Sequence, residues 1–420
     1  MAPILSDLAG PAYSRLTGGD LRSSTVRTRP QRRSWPLAIA VSGVLVLSGC
    51  ADFGDEAAGE KWSAAPELTP EQGPQPELPE AATPEVPSAP QQQQTEVPPP
   101  EGCKDFDEAV IATCLDTVSA VAPLPGSGQV ISALAGERKS GRVMLVDSEG
   151  KEQEFAKLDV DASGGGGLTG LALSPTYSED RLVYAYITTA QDNRVVRFAQ
   201  GQPPKPVVTG IPKGSSGNAG ALLATADGSL LVATGDAGDP AQARQPRTLA
   251  GKVLQVNGTG DPVEGDSPVL ASGLTQPGGL CQTADGARTW VTDRGGDKDA
   301  LYQVPEDADG GALPAAAWTW PDKPGVAGCT DWADSVAVAT ESGANVQNLP
   351  LTQDGSVGGE PQVMMDGDNG PSYGRLGALA QASEDVAIAG TVNKDGGDPV
   401  SSDDRVVLIV RQPSGGSGRD

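Results

Sequence analysis

From residue 118 onward, short apolar runs alternate with turns rich in aspartate and glycine. Residues 220–235 illustrate the pattern: Gly-Ala-Leu-Leu-Ala is followed by Thr-Ala-Asp-Gly-Ser and then by Leu-Leu-Val-Ala-Thr-Gly. Such a segment is typical of two strands joined by a tight hairpin. Long stretches with apolar residues three and four positions apart, which would indicate helices, are missing. The pattern therefore predicts an all-β domain over residues 102–411.

The apolar runs form six repeats when they are aligned on their turns. The repeats cover residues 118–146, 168–198, 219–256, 278–304, 336–351 and 376–410. Their starts lie about 40 to 60 residues apart, which is the spacing of four-stranded propeller blades. A single blade cannot bury both of its faces, whereas a closed ring of blades can. We therefore expect a six-bladed β-propeller, with a two-sheet sandwich as the alternative.

The two ends of this domain are expected to meet. Residues 405–410 read as a strand, and the Pro-Ser-Gly-Gly sequence that begins at Pro413 reads as a disordered tail over 412–420. We expect the strand at 405–410 to complete the ring by pairing with chain from the start of the domain.

The first 49 residues have the pattern of an export signal. A basic segment with six arginines precedes the apolar residues 37–47, and Leu-Ser-Gly-Cys follows at 47–50. This apolar run is too short for an ordinary transmembrane helix, which is the alternative interpretation. We therefore predict a lipoprotein signal peptide over 1–49, with lipid attached to Cys50. The mature protein would then be exported and anchored to the outer face of the cell membrane. The membrane, contacted through this lipid anchor, is therefore an expected partner.

Residues 50–101 are predicted to be a disordered tether. The stretch 66–100 contains eleven prolines, interspersed mainly with Glu, Gln and Ala. Such a composition cannot build a hydrophobic core, and proline keeps the chain extended. A docking site for a protein that recognises proline-rich helices is the alternative.

Charge and cysteine content narrow the function classes. The net charge of −25 makes nucleic acid an unsuitable partner.

Apart from Cys50, four cysteines remain, and they can pair in three ways. We favour the arrangement with the bonds Cys103–Cys114 and Cys281–Cys329. The second bond would join the fourth repeat to the fifth. A zinc site is not expected, because the chain has no histidine and no C-x-x-C motif.

Several motifs carry a family resemblance. They are Gly-Leu-Thr-Gly-Leu-Ala-Leu-Ser-Pro at 167–175, Thr-Gly-Asp-Ala-Gly-Asp-Pro at 234–240, Thr-Leu-Ala-Gly-Lys-Val-Leu at 248–254, Gly-Leu-Thr-Gln-Pro-Gly-Gly-Leu at 273–280 and Val-Thr-Asp-Arg-Gly-Gly at 291–296. Together they resemble the soluble quinoprotein glucose/sorbosone (aldose sugar) dehydrogenases, and the predicted anchor is similar to that of an actinobacterial lipoprotein branch. The resemblance implies a six-bladed propeller. In working members, pyrroloquinoline quinone (PQQ) and calcium at the blade ends would oxidise an aldose to its lactone.

The chain departs from this family at the positions that carry its chemistry. Asn218 stands where the resemblance places the catalytic histidine, and an amide cannot accept the proton of a sugar hydroxyl. Thr275 and Gln276 stand where an Arg-Asn pair would hold the quinone carboxylates. These three residues are predicted to contact a ligand rather than to oxidise it.

Further ligand contacts are expected from the same loops. Arg294 and Gly296 replace the histidine and proline of the family motif, while the main-chain carbonyls of Gly295 and Gly296 remain able to bind calcium. Arg294 and Arg375 are predicted to line the mouth of the propeller, with surface ion pairs as the alternative.

Aspartates could replace the missing base. Asp236, Asp239, Asp293 and Asp297 lie at predicted blade ends, and burial can raise the pKa of a carboxylate toward neutrality. Asp236 and Asp293 are therefore weak catalytic candidates, although aspartate in a glycine-rich turn commonly serves to form the turn.

The sequence favours a binding function over a catalytic one. We expect an envelope lipoprotein whose propeller mouth binds a sugar, a cell-wall glycan, another small molecule or a protein partner. The main alternative is a PQQ-dependent aldose dehydrogenase with an altered active site, which would need PQQ and calcium. A calcium-dependent lactonase of similar shape is the third hypothesis, and it depends on fold analogy alone.

Overall fold

A computed structural model describes residues 97–126, 130–306 and 310–411. The predicted signal peptide at 1–49, the lipidation site Cys50, all but the last residues of the tether 50–101 and the tail 412–420 lie outside the described residues. Within the described ranges, no helix is long and apolar enough to cross a bilayer.

The described chain forms 24 strands and two short helices. The strands are β1 (Val110–Ala112), β2 (Val118–Pro123), β3 (Ser132–Glu137), β4 (Arg142–Asp147), β5 (Glu152–Lys157), β6 (Leu168–Leu173), β7 (Val183–Thr188), β8 (Asn193–Phe198), β9 (Lys205–Ile211), β10 (Gly220–Ala224), β11 (Leu230–Thr234), β12 (Lys252–Val256), β13 (Val269–Ser272), β14 (Pro277–Gln282), β15 (Thr289–Arg294), β16 (Asp299–Gln303), β17 (Trp318–Trp320), β18 (Val326–Asp331), β19 (Ser335–Thr340), β20 (Val346–Pro350), β21 (Gln362–Met364), β22 (Leu376–Gln381), β23 (Val386–Thr391) and β24 (Val406–Val410). The helices are α1 (Tyr177–Asp180) and α2 (Pro240–Ala243).

These strands build six antiparallel four-stranded sheets, so the predicted six-bladed propeller is confirmed. Blades 1 to 5 each consist of four consecutive strands, starting with β2, β6, β10, β14 and β18. Blade 6 has the order β1-β24-β23-β22. The first strand of each blade, or β22 in blade 6, is its inner strand, and it pairs with a blade partner on one side only.

The core is divided among the blade interfaces. Buried apolar residues form six clusters, one between each pair of neighbouring blades. Between blades 1 and 2, for example, Leu134 packs in one cluster with Leu168 and Ile187. Stacking therefore buries both faces of each blade, as the repeat pattern requires.

Glycines allow the inner strands to approach one another closely. A Cβ atom on Gly328 of β18 would lie 2.1 Å from the backbone nitrogen of Leu379 in β22. No side chain fits at this distance, because backbone on the facing strand cannot move aside cheaply. Gly328 thus sets the spacing between the inner strands of blades 5 and 6.

The ring is closed by the first strand. β1 pairs antiparallel with β24, with Val110 opposite Val407 and Ala112 opposite Val406. The side chain of Asp404, just before β24, accepts the backbone N–H of Thr117 at 2.8 Å, which ties the two ends of the domain together a second time. The predicted pairing of the last strand with chain from the domain's beginning is confirmed.

Both predicted disulfide bonds are present. Cys103 and Cys114 are joined with a Cα–Cα distance of 5.4 Å, and Cys281 and Cys329 with one of 5.6 Å. Cys281 lies in β14 and Cys329 in β18, so this bond connects the inner strands of blades 4 and 5.

The predicted repeat boundaries were wrong in two respects. The fifth repeat was placed at 336–351, whereas blade 5 begins with Val326–Asp331. That strand is buried along its whole length and includes Gly, Cys, Thr and Asp, so it shows no apolar alternation. The repeats also omit all six outer strands. Glu152–Lys157, for example, is polar and largely exposed, so it has no apolar run to detect.

Candidate functional site at the channel mouth

A cavity of about 300 Å³ opens where the inner strands begin. Its wall includes Ser119, Thr169 and Gly278, from the inner strands of blades 1, 2 and 4. The same three residues also line a second cavity of about 350 Å³ that is surrounded by the inner strands of all six blades. The first cavity is therefore the opening of an axial channel, and we call it the channel mouth.

Charged side chains surround one half of the channel mouth. They follow one another from blade 4 through blades 5 and 6 to blade 1, and we call them the ionic arc. The ionic arc consists of Arg294, Glu341, Arg375, Asp395, Arg138 and Lys139. It contains four cations and two carboxylates, and each carboxylate pairs with two of the cations.

Each of the two carboxylates in the ionic arc holds its own pair of cations. Arg294 Nη1 lies 2.7 Å from Glu341 Oε1, and Arg375 Nη2 lies 3.7 Å from Glu341 Oε2. Asp395 contacts the guanidinium of Arg138 and lies 3.2 Å from Lys139 Nζ. Burial alone would raise the pKa of Asp395, but the neighbouring cations outweigh it and hold that pKa below the ordinary value.

The opposite half of the channel mouth is small and neutral. It is formed by residues of blades 2 and 3, among them Gly165, Thr169, Ala219 and Gly220. The Thr169 hydroxyl donates to the carbonyl oxygen of Gly220 at 2.9 Å and accepts its N–H at 3.0 Å, which fixes the two blades against each other. Charge at the channel mouth is therefore concentrated on one side.

Asn218 does not line the channel mouth. Its side chain is fully buried. Its Nδ2 donates to the carbonyl oxygens of Gly214 at 2.8 Å and Gly164 at 3.1 Å, while its Oδ1 accepts the N–H of Gly214 at 2.8 Å. Asn193 Nδ2 approaches the same Oδ1 at 3.3 Å. The amide thus joins two loops, and its donors and acceptor are already engaged.

The second of these loops contains the glycine run at 164–167 and connects blades 1 and 2. Ser163–Gly165 makes a single 3-10 turn there, between β5 and β6. Gly164 has a φ of 61° and sits against Asn218, where a Cβ would come within 2.4 Å of Nδ2. Glycine is required here by both the conformation and the space.

Asp293 acts on the backbone of the neighbouring loop. Its side chain is 3% exposed and accepts the N–H groups of Thr275 at 3.0 Å and Gln276 at 2.7 Å. Burial raises the pKa of Asp293 to about 6, against the lowering effect of these hydrogen bonds. Asp293 therefore positions the loop that contains Thr275 and Gln276, and it is not part of the wall of the channel mouth.

Asp236 has a similar place in blade 3. It is 2% exposed, and its side chain accepts the N–H of Gly238 at 2.7 Å. Burial raises its pKa, and the charge of the nearby Asp239 adds to this. Its own N–H donates to the carbonyl oxygen of Thr275 at 2.9 Å. The two aspartates thus hold Thr275 from both sides and do not face the cavity.

Gln276 and Arg294 are the sequence-predicted ligand contacts that line the channel mouth. Arg375 reaches it through its contact with Glu341. The carbonyl oxygen of Gly296, predicted as a calcium ligand, accepts a hydrogen bond from Lys323 Nζ at 2.8 Å. No group of three or more potential metal-ligating side chains occurs among the residues that the structure describes.

Sequence reasoning missed Arg138, Glu341 and Asp395. Arg138 and Asp395 are 257 positions apart, so no local spacing connects them. A signal was nevertheless present, because these residues follow the second strand of blades 1, 5 and 6, and Arg294 ends the second strand of blade 4. Equivalent positions in a repeat meet at one face of the ring, so comparing them would have grouped these side chains.

Comparison with known proteins agrees with this architecture. The family model described as glucose / sorbosone dehydrogenase matches residues 115–302. The PQQ-bound form of aldose sugar dehydrogenase from Streptomyces coelicolor is 30% identical and superimposes with a TM-score of 0.64, covering 74% of this chain and 99% of that one. A putative oxidoreductase (glucose dehydrogenase) from Thermus thermophilus is 25% identical, with a TM-score of 0.63 and coverage of 71% and 98%.

The apo-form of the soluble aldose sugar dehydrogenase from Escherichia coli is 16% identical, with a TM-score of 0.59. The match covers 72% of this chain and 99% of that one. At this identity, the similarity supports the fold alone. No curated protein sequence matches the chain significantly. The six-bladed fold, the sequence motifs and the similarity to solved sugar dehydrogenases together define a sugar-dehydrogenase-like propeller. The chain belongs to the glucose/sorbosone dehydrogenase family, as its motifs predicted.

Proposed function

We propose that this protein is an exported lipoprotein, anchored through Cys50 to the outer face of the cell membrane. In this proposal, its propeller binds a carbohydrate, another small molecule or a protein partner at the channel mouth and does not oxidise it. The observation that carries the proposal is the engagement of Asn218, at the position of the family's base, in hydrogen bonds to Gly164 and Gly214.

The absence of a base is supported by chemistry as well as by position. Abstraction of a proton from a sugar hydroxyl needs a group whose pKa lies near the working pH. An amide has no such pKa, and the chain contains no histidine that could replace it. Asp293 has a suitable pKa, about 6, but its oxygens are turned toward the N–H groups of Thr275 and Gln276.

The described residues also fit PQQ and calcium poorly. Thr275 and Gln276 offer neutral groups where the resemblance expects a charged fork for the quinone carboxylates. The carbonyl oxygen of Gly296, which calcium would need, already accepts the ammonium group of Lys323 at 2.8 Å. A cation from the protein itself therefore lies at the proposed calcium ligand.

A PQQ-dependent aldose dehydrogenase with an altered site is the second candidate. The Streptomyces coelicolor relative, whose solved form contains PQQ, favours it, as do Gln276 and Arg294 in the wall of the channel mouth. The carboxylates in that wall are Glu341 and Asp395, and both are paired with arginine. The lowered pKa of Asp395 makes it a weak base.

Titration with PQQ and calcium separates the two candidates. We expect the purified lipoprotein in detergent to show no saturable change in PQQ absorbance and no glucose-dependent reduction of an electron-acceptor dye. The Streptomyces coelicolor relative, measured under the same conditions, is the positive control. Saturable quinone binding together with sugar-dependent dye reduction would replace the binding proposal with the dehydrogenase.

Asn218→His provides a sharper check. We expect no turnover from this variant, because the missing quinone grip is not restored and the new imidazole lies in a buried position. The variant should also unfold at a lower temperature, since the backbone groups of Gly164 and Gly214 lose their present partner. Dye reduction and thermal unfolding measure the two effects. Recovered turnover would show that the quinone site is intact.

A further inference from the structure

The ionic arc carries an excess of positive charge. It contains four cations, Arg294, Arg375, Arg138 and Lys139, but only two carboxylates, Glu341 and Asp395. The chain as a whole has a net charge of −25. Arg138, Arg294, Glu341 and Asp395 line the cavity itself, and the two further cations contact these carboxylates. The excess of two positive charges in the ionic arc favours the approach of an anion to this opening.

Two cations of the ionic arc, Arg294 and Arg375, are incompletely neutralised. Arg294 and Arg375 share the single carboxylate of Glu341, and the second of these contacts is 3.7 Å long. Their Nε groups are buried and have no hydrogen-bond partner within the described part of the chain. A guanidinium normally forms a two-bond fork with a carboxylate, so these two have donor capacity left over.

The ionic arc lies in a site that is partly withdrawn from water. Its side chains are between 13% and 41% exposed. Charge pairs in such surroundings interact more strongly than pairs on an open surface, but they remain accessible to a ligand. An anion that enters the channel mouth would therefore gain more from these cations than it would from scattered surface lysines.

The remainder of the channel mouth suits hydroxyl groups. The inner strands pair on one side only, which leaves backbone donors and acceptors along their other edge. Gln276 adds an amide, which can both donate and accept. A purely apolar guest would leave these groups without partners, which is costly.

We infer that the ligand of the channel mouth is an acidic saccharide, whose carboxylates bind the cations of the ionic arc and whose hydroxyls bind the neutral wall and strand edges. This inference rests on the proposed binding function and specifies its ligand class. Glu341 and Asp395 then act as internal competitors, because each occupies cations that the ligand's carboxylates would bind.

The test compares two trisaccharides of similar size, trigalacturonate and neutral maltotriose, by isothermal titration calorimetry with the detergent-solubilised lipoprotein. We expect trigalacturonate to bind at least tenfold more tightly at low salt. Its affinity should fall as sodium chloride is raised, because salt screens the cations, while any binding of maltotriose should not change.

Two variants with opposite expected effects give the inference a second readout. Glu341→Gln removes a competing carboxylate with little change of shape and should raise the affinity for trigalacturonate by about tenfold. Arg294→Gln should lower it by a similar factor. Asp334→Asn is the matched control, since Asp334 pairs with Arg411 and is not part of the channel-mouth wall, and it should change neither affinity.

Other outcomes overturn the inference in distinguishable ways. Equal, salt-independent affinity for both trisaccharides would reject the acidic ligand but keep a carbohydrate-binding propeller. Weaker binding by Glu341→Gln would show that Glu341 contacts the ligand rather than competing with it. Failure of both trisaccharides to bind would reject the saccharide class altogether, while PQQ binding together with sugar-dependent dye reduction would reject the proposed function itself.

Discussion

Replacing Cys281 and Cys329 together with alanine is expected to lower the free energy of unfolding by about 4 kcal/mol. The disulfide closes a loop with a sequence separation of 48, and breaking it returns conformational freedom mainly to the unfolded chain. Both cysteines are also buried, so the substitution leaves unfilled space between the inner strands of blades 4 and 5. Urea unfolding followed by tryptophan fluorescence measures the change.

The other disulfide serves as the matched control. Cys103 and Cys114 are only 11 positions apart, so the same double replacement there should cost about 3 kcal/mol. Opening this loop should leave the contacts between blades 4 and 5 intact. A loss below about 1 kcal/mol for the Cys281–Cys329 pair would contradict the prediction, because strain in the native bond would then cancel its entropic contribution.

The second large effect is a pH dependence that Asp293 introduces. Its pKa rises from 3.8 to about 6 on folding, so the folded state favours the protonated carboxyl. The resulting stabilisation is fully present below pH 3.8 and is lost as the pH rises through about 6. A shift of this size corresponds to about 3 kcal/mol.

Asp293→Asn isolates this contribution. The asparagine keeps an oxygen that can accept the N–H groups of Thr275 and Gln276, but it does not titrate. Relative to this variant, the original protein should lose about 3 kcal/mol of stability between about pH 3.5 and pH 7. Denaturant unfolding of both proteins across this range gives the difference.

Asp354→Asn is the control for this experiment. Asp354 lies in a surface turn, where hydrogen bonds from Thr352 and Ser356 lower its pKa. Its contribution therefore has the opposite sign: stability is gained as the pH rises toward 3.8 and does not change between about pH 4 and pH 7.

One outcome would contradict the Asp293 prediction. A pH-independent difference in stability between the original protein and Asp293→Asn would show that the carboxyl of Asp293 titrates near its ordinary value.

The blade architecture was predictable because most inner and middle strands are apolar runs next to a recognisable turn. In Gly220–Ala224 and Leu230–Thr234, apolar residues flank a turn centred on Gly228, whose φ of 90° requires glycine. Val326–Asp331 escaped detection because a strand buried on both faces needs no alternation. Outer strands such as Glu152–Lys157 escaped because they are polar and largely exposed.

The site was only partly predictable. Gln276 and Arg294 lie at the channel mouth, as the family resemblance implied, because Gln276 directly precedes β14 and Arg294 ends β15. The sequence could not reveal that the amide of Asn218 is engaged, since its partner Gly164 belongs to a loop 54 positions away. Ion pairs such as Arg138 with Asp395 depend on ring closure, which brings residues 257 positions apart into contact.

Because β1 pairs with β24, the fold does not depend on which blade comes first along the chain. Both ends of the domain meet within blade 6, and the other five blades are uninterrupted hairpins. A circular permutant that links the two ends by a short peptide and opens the chain at the Gly228 turn would keep every strand pair in its register. The propeller can thus be cut elsewhere without losing a single neighbour, which makes this scaffold suited to domain insertion.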